Sequence, residues 1–115
     1  MNLVAFLNQL ENIPKSISFQ ETISVIEANY TFTPTAFSNG NQINEAGENN
    51  GSCKIFAFAK LHQLNELQTL TCFGNYYFED VLQNPQGTDH QNIRNFMEFG
   101  WEGIHFEGTA LDSLQ

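Results

Sequence analysis

From residue 52 to 63 the chain carries its most apolar stretch, in which Cys53, Ile55, Phe56, Ala57, Phe58, Ala59 and Leu61 occupy nearly every face of a helix. A helix that is apolar all round is stable only when other elements cover it on every side. The stretch therefore predicts a central, buried helix over 52–63. The rest of the chain is expected to wrap it.

The wrapping elements follow from periodicity and punctuation. Leu3, Phe6, Leu7 and Leu10 fall at i, i+3, i+4 and i+7, the stripe of an amphipathic helix over about 2–12 that Pro14 closes off. Ser18-Phe-Gln-Glu21 reads as a capping box, opening a second helix that runs to Asn29. Asn65-Glu-Leu-Gln68 opens another, with Leu67, Leu70, Phe73, Tyr77, Val81 and Leu82 as its inner face, Gly74 as a kink and Pro85 as its stop. Thr88 or Asp89 caps a last helix whose inner face is Ile93, Phe96 and Met97, and Gly100 ends it.

Tyr30, Phe32 and Phe37 alternate with threonines around Pro34, a pattern that suits an extended edge segment rather than a central strand. Trp101 to Phe106 favours a short strand that pairs with it. Asn39-Gly40 marks a turn, residues 41–51 read as an irregular loop, and Asp112 to Gln115 are expected to fray. The resulting fold class is α+β, mostly α, with about five helices around the 52–63 helix and a small two-stranded β element. Residues 1–115 form one domain, long enough to bury about two-thirds of the extended chain's surface.

Charge narrows the partners. Thirteen acidic residues against Lys15, Lys54, Lys60 and Arg94 give a net charge of −9. Phosphate backbones and anionic membrane surfaces both require clustered Lys and Arg, so no nucleic acid and no membrane is expected, and a protein is the expected kind of partner. No apolar run reaches the roughly 20 residues of a membrane span, and the N-terminal segment lacks the pattern of a secretory signal. A cytoplasmic protein is expected, with Cys53 and Cys72 as reduced, buried thiols.

Several phrases recur in a known order: Phe32-Thr-Pro-Thr-Ala-Phe-Ser-Asn-Gly40, Ala46-Gly-Glu-Asn-Asn-Gly-Ser-Cys-Lys-Ile-Phe-Ala-Phe-Ala59, Thr69-Leu-Thr-Cys-Phe-Gly-Asn-Tyr-Tyr77, and Thr88-Asp-His-Gln-Asn-Ile-Arg-Asn-Phe96 before Gly100-Trp101. Over Tyr30 to Phe106 the chain resembles the HopJ type III effector family. That resemblance implies a bacterial protein carrying an effector label, delivered into a host cell by a type III system or retained in the cytoplasm as a relative. It implies no reaction, no catalytic residue set and no cofactor. Type III signals are typically Ser-rich and unstructured, whereas Asn2 to Glu11 reads as a helix and no Ser precedes Ser16.

Three groups of residues are candidates for chemistry. Cys53 lies near a predicted helix start beside Lys54, where the macrodipole and an ammonium would favour a thiolate nucleophile, against the reading of a small apolar core residue. Asp89, His90 and Arg94 would gather acid, base and cation at one helix start, with Arg94 pairing Glu98 in the structural alternative. His62, His90, His105, Cys53 and Cys72 lack the spacing of a metal motif, so no metal is assigned, and His62 is expected half packed at the core edge. Gly47 to Ser52 could cradle an anion, but lacks the P-loop pattern; Asn39, Gly40, Asn44, Gly47, Asn49, Asn50 and Gly51 read mainly as turn formers. Adjacent Tyr76 and Tyr77 cannot both face inward, so one of them is expected half exposed.

Two functions from different classes follow. The first is a HopJ-like interaction protein using an acidic and aromatic surface. The second is a small enzyme or ligand-binding domain centred on Asp89, His90 and Arg94. Convergence of Cys53, His90, Asn49 and Arg94 on one concave site would favour the second.

Overall fold

The computed structural model describes residues 2–114. Five α-helices are present: α1 (Leu3–Asn12), α2 (Phe19–Asn29), α3 (Asn50–Leu61), α4 (Glu66–Thr71) and α5 (Gln91–Phe99). A π-helical segment, Tyr76–Val81, follows α4. Five short strands are β1 (Tyr30–Phe32), β2 (Phe37–Asn39), β3 (Gln42–Asn44), β4 (Ile104–Phe106) and β5 (Leu111–Ser113).

Helix α3 is the centre, as its composition demands. Cys53 and Ile55 to Ala59 are all buried in one continuous core, whereas Leu61, at the last turn, is 55% exposed rather than covered as expected. The ring of Phe56 meets Phe37 of β2 at 6.0 Å, Phe73 after α4 at 5.6 Å and Phe96 of α5 at 5.0 Å between centroids. Phe58 meets Phe6 of α1 at 5.9 Å and Tyr30 of β1 at 6.1 Å. Successive aromatic positions on this one helix thus reach opposite sides of the fold, at separations where tilted ring pairs are attractive.

The two expected capping boxes are present, and α1 carries a cap that was not anticipated. Asn2 accepts from the N–H of Ala5 at 2.7 Å, and full capping boxes join Ser18 to Glu21 and Asn65 to Gln68. The inner face assigned to 65–84 is different. Gly74 takes φ +60°, and a side chain there would collide with the backbone at Phe19, so the chain breaks and re-forms as the π-helical segment. Leu67 and Leu82 face outward, at 62% and 45% exposure, in place of their expected core role: α4 buries Thr69, Leu70 and Thr71 instead, and Leu82 follows the π-helical segment. Met97 is likewise 45% exposed, because α5 buries Asn92 and Asn95 beside Ile93 and Phe96.

The β structure is richer than a two-stranded element. β2 pairs with β4, Phe37 opposite Phe106, which is the pairing anticipated for the Tyr30 to Phe37 segment. β2 also pairs with β3, so Gln42–Asn44 is a strand inside the stretch read as irregular loop. β1 pairs instead with β5, which places Asp112 opposite Thr31 and orders residues expected to fray; Gln115 lies outside the described residues. Trp101 belongs to a 3₁₀ turn, Gly100–Gly103, that precedes β4. The β2–β3 turn needs Gly40, whose φ of +62° and contact with the Phe99 ring leave no room for a side chain.

Replacing Phe56 by Ala removes three aromatic contacts at once and is expected to cost about 3–5 kcal/mol in denaturant unfolding. Met97→Ala, on the exposed face of α5, is expected to stay within about 0.5 kcal/mol. Equal effects would contradict this assignment of inner and outer faces.

Candidate functional site

The polar centre of the molecule is a network of carboxamides rather than charges. Asn39 and Asn44 of the β2–β3 hairpin and Asn92 and Asn95 of α5 are all buried. Asn44 Nδ2 donates to the Phe37 carbonyl at 3.3 Å, and Asn39 Nδ2 donates to the Asn92 carbonyl at 2.8 Å. A carbonyl can only accept, so these two bonds fix which end of each amide is nitrogen. The Asn44 oxygen then collects three donors: Asn49 Nδ2 at 2.7 Å, Asn92 Nδ2 at 3.0 Å and Gln42 Nε2 at 3.1 Å. Asn95 Nδ2 closes the set onto the Asn39 carbonyl at 2.9 Å. These bonds stitch the hairpin to the starts of α3 and α5.

On this floor sits a cleft of about 340 Å³. Phe19 and Tyr76 wall it, and Asn49, Ser52, His90 and Gln91 rim it. The two helix starts that border it, Asn49 and His90, both take left-handed backbone, with φ of 52° and 50°, and neither carries a side-chain cap. Asn tolerates that region readily; histidine occupies it at a cost. Neither Thr88 nor Asp89 is the N-cap of α5, because the Asp89 carboxylate is taken by Arg94.

The expected cluster of Asp89, His90 and Arg94 is joined through Asp89, with the closer partners of His90 lying elsewhere. Arg94 Nη2 donates to Asp89 Oδ1 at 2.7 Å, while its Nε and Nη1 donate to the carbonyls of Asp89 and Asn84 at 2.6 and 2.9 Å. The Arg94 hydrogen bond is the main reason that the Asp89 carboxyl lies below its ordinary pKa. Arg94 therefore clamps the loop before α5 and does not pair with Glu98. His90 Nε2 lies between two carboxylates, meeting Asp80 Oδ2 at 3.0 Å and Asp89 Oδ2 at 3.8 Å, and the ring stacks on Tyr76 at 5.0 Å and 28°. Asp80, on the π-helical segment, is the acid partner that the sequence reading missed. Ten residues separate it from His90, and only the unforeseen π-helix brings it there.

Of the four residues whose convergence was at issue, Asn49 and His90 line the cleft, and Cys53 and Arg94 do not. Cys53 is buried with Sγ 3.5 Å from the Thr35 carbonyl. Burial pushes its thiol up, outweighing the hydrogen bond to Thr35 and the charge of Lys54, and Cys72 is pushed up to about 12 by burial alone. His62 is half packed as expected, its Nε2 at 2.7 Å from the Tyr30 hydroxyl, and burial pulls its pKa down. Among the described residues no three His, Cys, Asp or Glu side chains group closely enough to hold a metal ion. Tyr77 is buried and Tyr76 is 39% exposed, the division that adjacency requires. Trp101 is tied inward, Nε1 donating to the Leu64 carbonyl at 3.0 Å.

A second concavity, of about 750 Å³, runs between α1 with its following 3₁₀ turn (Pro14–Ser16) and α4 with the π-helical segment. Leu10, Leu67, Phe78 and Leu82 line it, Glu11 and Glu79 edge it, and Lys15 is its one cation. Among the described residues no helix is long and apolar enough to cross a membrane.

Fold and site together define a small, mostly α, α+β domain with an amide-floored cleft on one side of a π-helical segment and an apolar groove on the other. The chain belongs to the HopJ family: the family model described as HopJ type III effector protein matches residues 3–111. It is also similar to a solved structure titled "Crystal structure of unknown function protein VPA0580", with 58% sequence identity, a TM-score of 0.97, and coverage of 98% of this chain and 94% of that one. No curated protein matches.

With both thiols held protonated by burial, neither cysteine is expected to react with a thiol-specific disulfide reagent in the native protein at pH 8, and both should react once urea unfolds it. Rapid native labelling of Cys53 would reinstate it as a reactive nucleophile.

Proposed function

We propose that this HopJ-family protein acts by holding a partner protein, and that its groove takes an amphipathic helix with a basic outer face. The observation that carries this reading is the pair Leu67 and Leu82, exposed at 62% and 45% on one groove between flanking carboxylates. Apolar side chains grouped in a concavity favour being covered, and a helix laid in such a groove covers them with residues at i, i+3, i+4 and i+7. Charge selects the occupant. A chain of net charge −9 with Glu11 and Glu79 at the groove edge attracts Lys and Arg and speeds their arrival.

The test is a fluorescence anisotropy titration with a synthetic helical peptide carrying Leu on one face and Lys on the other, beside the same peptide with Glu for Lys. The Lys peptide is expected to bind and the Glu peptide to fail, with binding falling as salt is raised. Leu67→Asp and Leu82→Asp should each weaken binding by about tenfold or more while leaving the melting temperature unchanged. Equal binding of both peptides, or no effect of either variant, would remove the groove as the interaction surface.

Delivery is separable from mechanism. On the family's description we propose a type III route, and a reporter fused after Asn29, at the end of α2, tests it. Transfer from a secretion-competent strain is expected; a reporter that stays inside the donor cell argues for a resident relative.

A further inference from the structure

We infer that the cleft between Phe19, Tyr76 and the starts of α3 and α5 is a binding site for a neutral, polyhydroxylated small molecule of monosaccharide size. This is a different surface from the groove. It is defined by what the amide network leaves unused.

Asn49 and Gln91 both border the cleft, and both spend their N–H₂ groups inward, on Asn44 Oδ1 at 2.7 Å and Asn95 Oδ1 at 2.7 Å. Their oxygens take no hydrogen bond from the described residues, and the Ser52 hydroxyl on the same rim has no partner there either. His90 gives Nε2 to Asp80, and since a carboxylate only accepts, Nε2 carries the hydrogen of that bond. The rim thus offers side-chain acceptors from Asn49 and Gln91, a hydroxyl from Ser52 that serves either way, and the aromatic side chains of Phe19 and Tyr76.

Charge excludes the alternatives. No Lys, Arg, Asp or Glu lines the cleft, so an anion would have only the partial positive ends of α3 and α5 to set against the rim's acceptor oxygens and a chain of net charge −9. A cation would meet no lining carboxylate, since Asp80 is engaged by His90, and would face the positive ends of α3 and α5. A wholly apolar ligand would strip water from the amide oxygens and return nothing. Hydroxyl groups both donate and accept, and the C–H face of a sugar ring packs on Phe19 and Tyr76. At about 340 Å³ the cleft falls in the range of small-molecule sites, roughly 300–1,000 Å³.

The experiment is amide NMR of the full chain titrated with glucose, galactose and N-acetylglucosamine, with inorganic phosphate and ethylammonium as charged probes. At least one sugar is expected to give saturable shifts at Gly51, Ser52, Gln91 and Asn92, with affinity near roughly 1 mM or better, and the charged probes none. Ser52→Ala and Gln91→Leu, each confirmed as folded by an unchanged spectrum elsewhere, are expected to weaken the best sugar by roughly five- to tenfold. Leu67→Asp, on the groove, should leave it unchanged, which separates this site from partner docking. The inference is overturned if no sugar shifts these amides, if a charged probe saturates them in place of a sugar, or if both cleft variants bind like the parent protein.

Discussion

The contacts of Phe56 hold the rest of the structure to one arrangement. Its ring touches Phe37, Phe73 and Phe96, so the hairpin, the end of α4 and the last helix are all referred to one side chain. Phe58, two residues on, ties α1 and β1 to the same helix. Interiors packed to crystal-like density transmit such contacts as constraints rather than as loose attraction. With α3 covered on both sides, the elements packed on it are placed relative to one another, and the positions of both concavities are consequences of how the covering elements meet at their edges.

Polar packing completes what apolar packing begins. The hairpin and α5 meet through Asn39, Asn44, Asn92 and Asn95, buried groups that have to be bonded or be costly. Because the chain of amides is anchored at the Phe37 and Asn92 carbonyls, its donor and acceptor order is set from inside. Two oxygens remain without partners in this order, Asn39 Oδ1 and Gln42 Oε1, and they belong to residues directly opposite each other across the β2–β3 turn. A network that uses its nitrogens internally and has oxygens to spare is what gives the nearby cleft its acceptor character.

Much of this was legible in the residues. The all-round apolar stretch identified the central helix, the capping sequences at Ser18 and Asn65 located two helix starts, and the phrases from Tyr30 to Phe106 identified the family. Less legible were the features that depend on one backbone angle. Gly74 reads as a kink, but its positive φ separates α4 from a π-helical segment, after which Leu82 faces outward and Asp80 reaches His90. Of the buried asparagines, Asn39 and Asn44 read as turn formers, since Asn is common in turns for local reasons. The available signal was in α5, where Asn92 and Asn95 share a helical face with Ile93 and Phe96. Polar residues on the apolar stripe of a core helix call for a polar partner, and the Asn-rich stretch from Asn39 to Asn49 was the only one of its kind.

The π-helical segment joins the two surfaces physically. In a chain where every other turn could be α, a wider turn costs hydrogen-bond geometry, and such turns concentrate where side-chain placement matters more than backbone regularity. Here Tyr76 and Asp80 both reach His90 at the cleft, while Phe78 and Glu79 from the same six residues line the groove. Returning Tyr76–Val81 to α-helical spacing would rotate these side chains relative to one another, so that the His90 contacts and the groove wall could not both be kept. His90, held by a stacked ring on one position of the segment and a carboxylate on another, opposes that change. Its left-handed backbone is accordingly the strain that the surrounding contacts sustain, and it lies at the one point where cleft, π-helical segment and α5 meet.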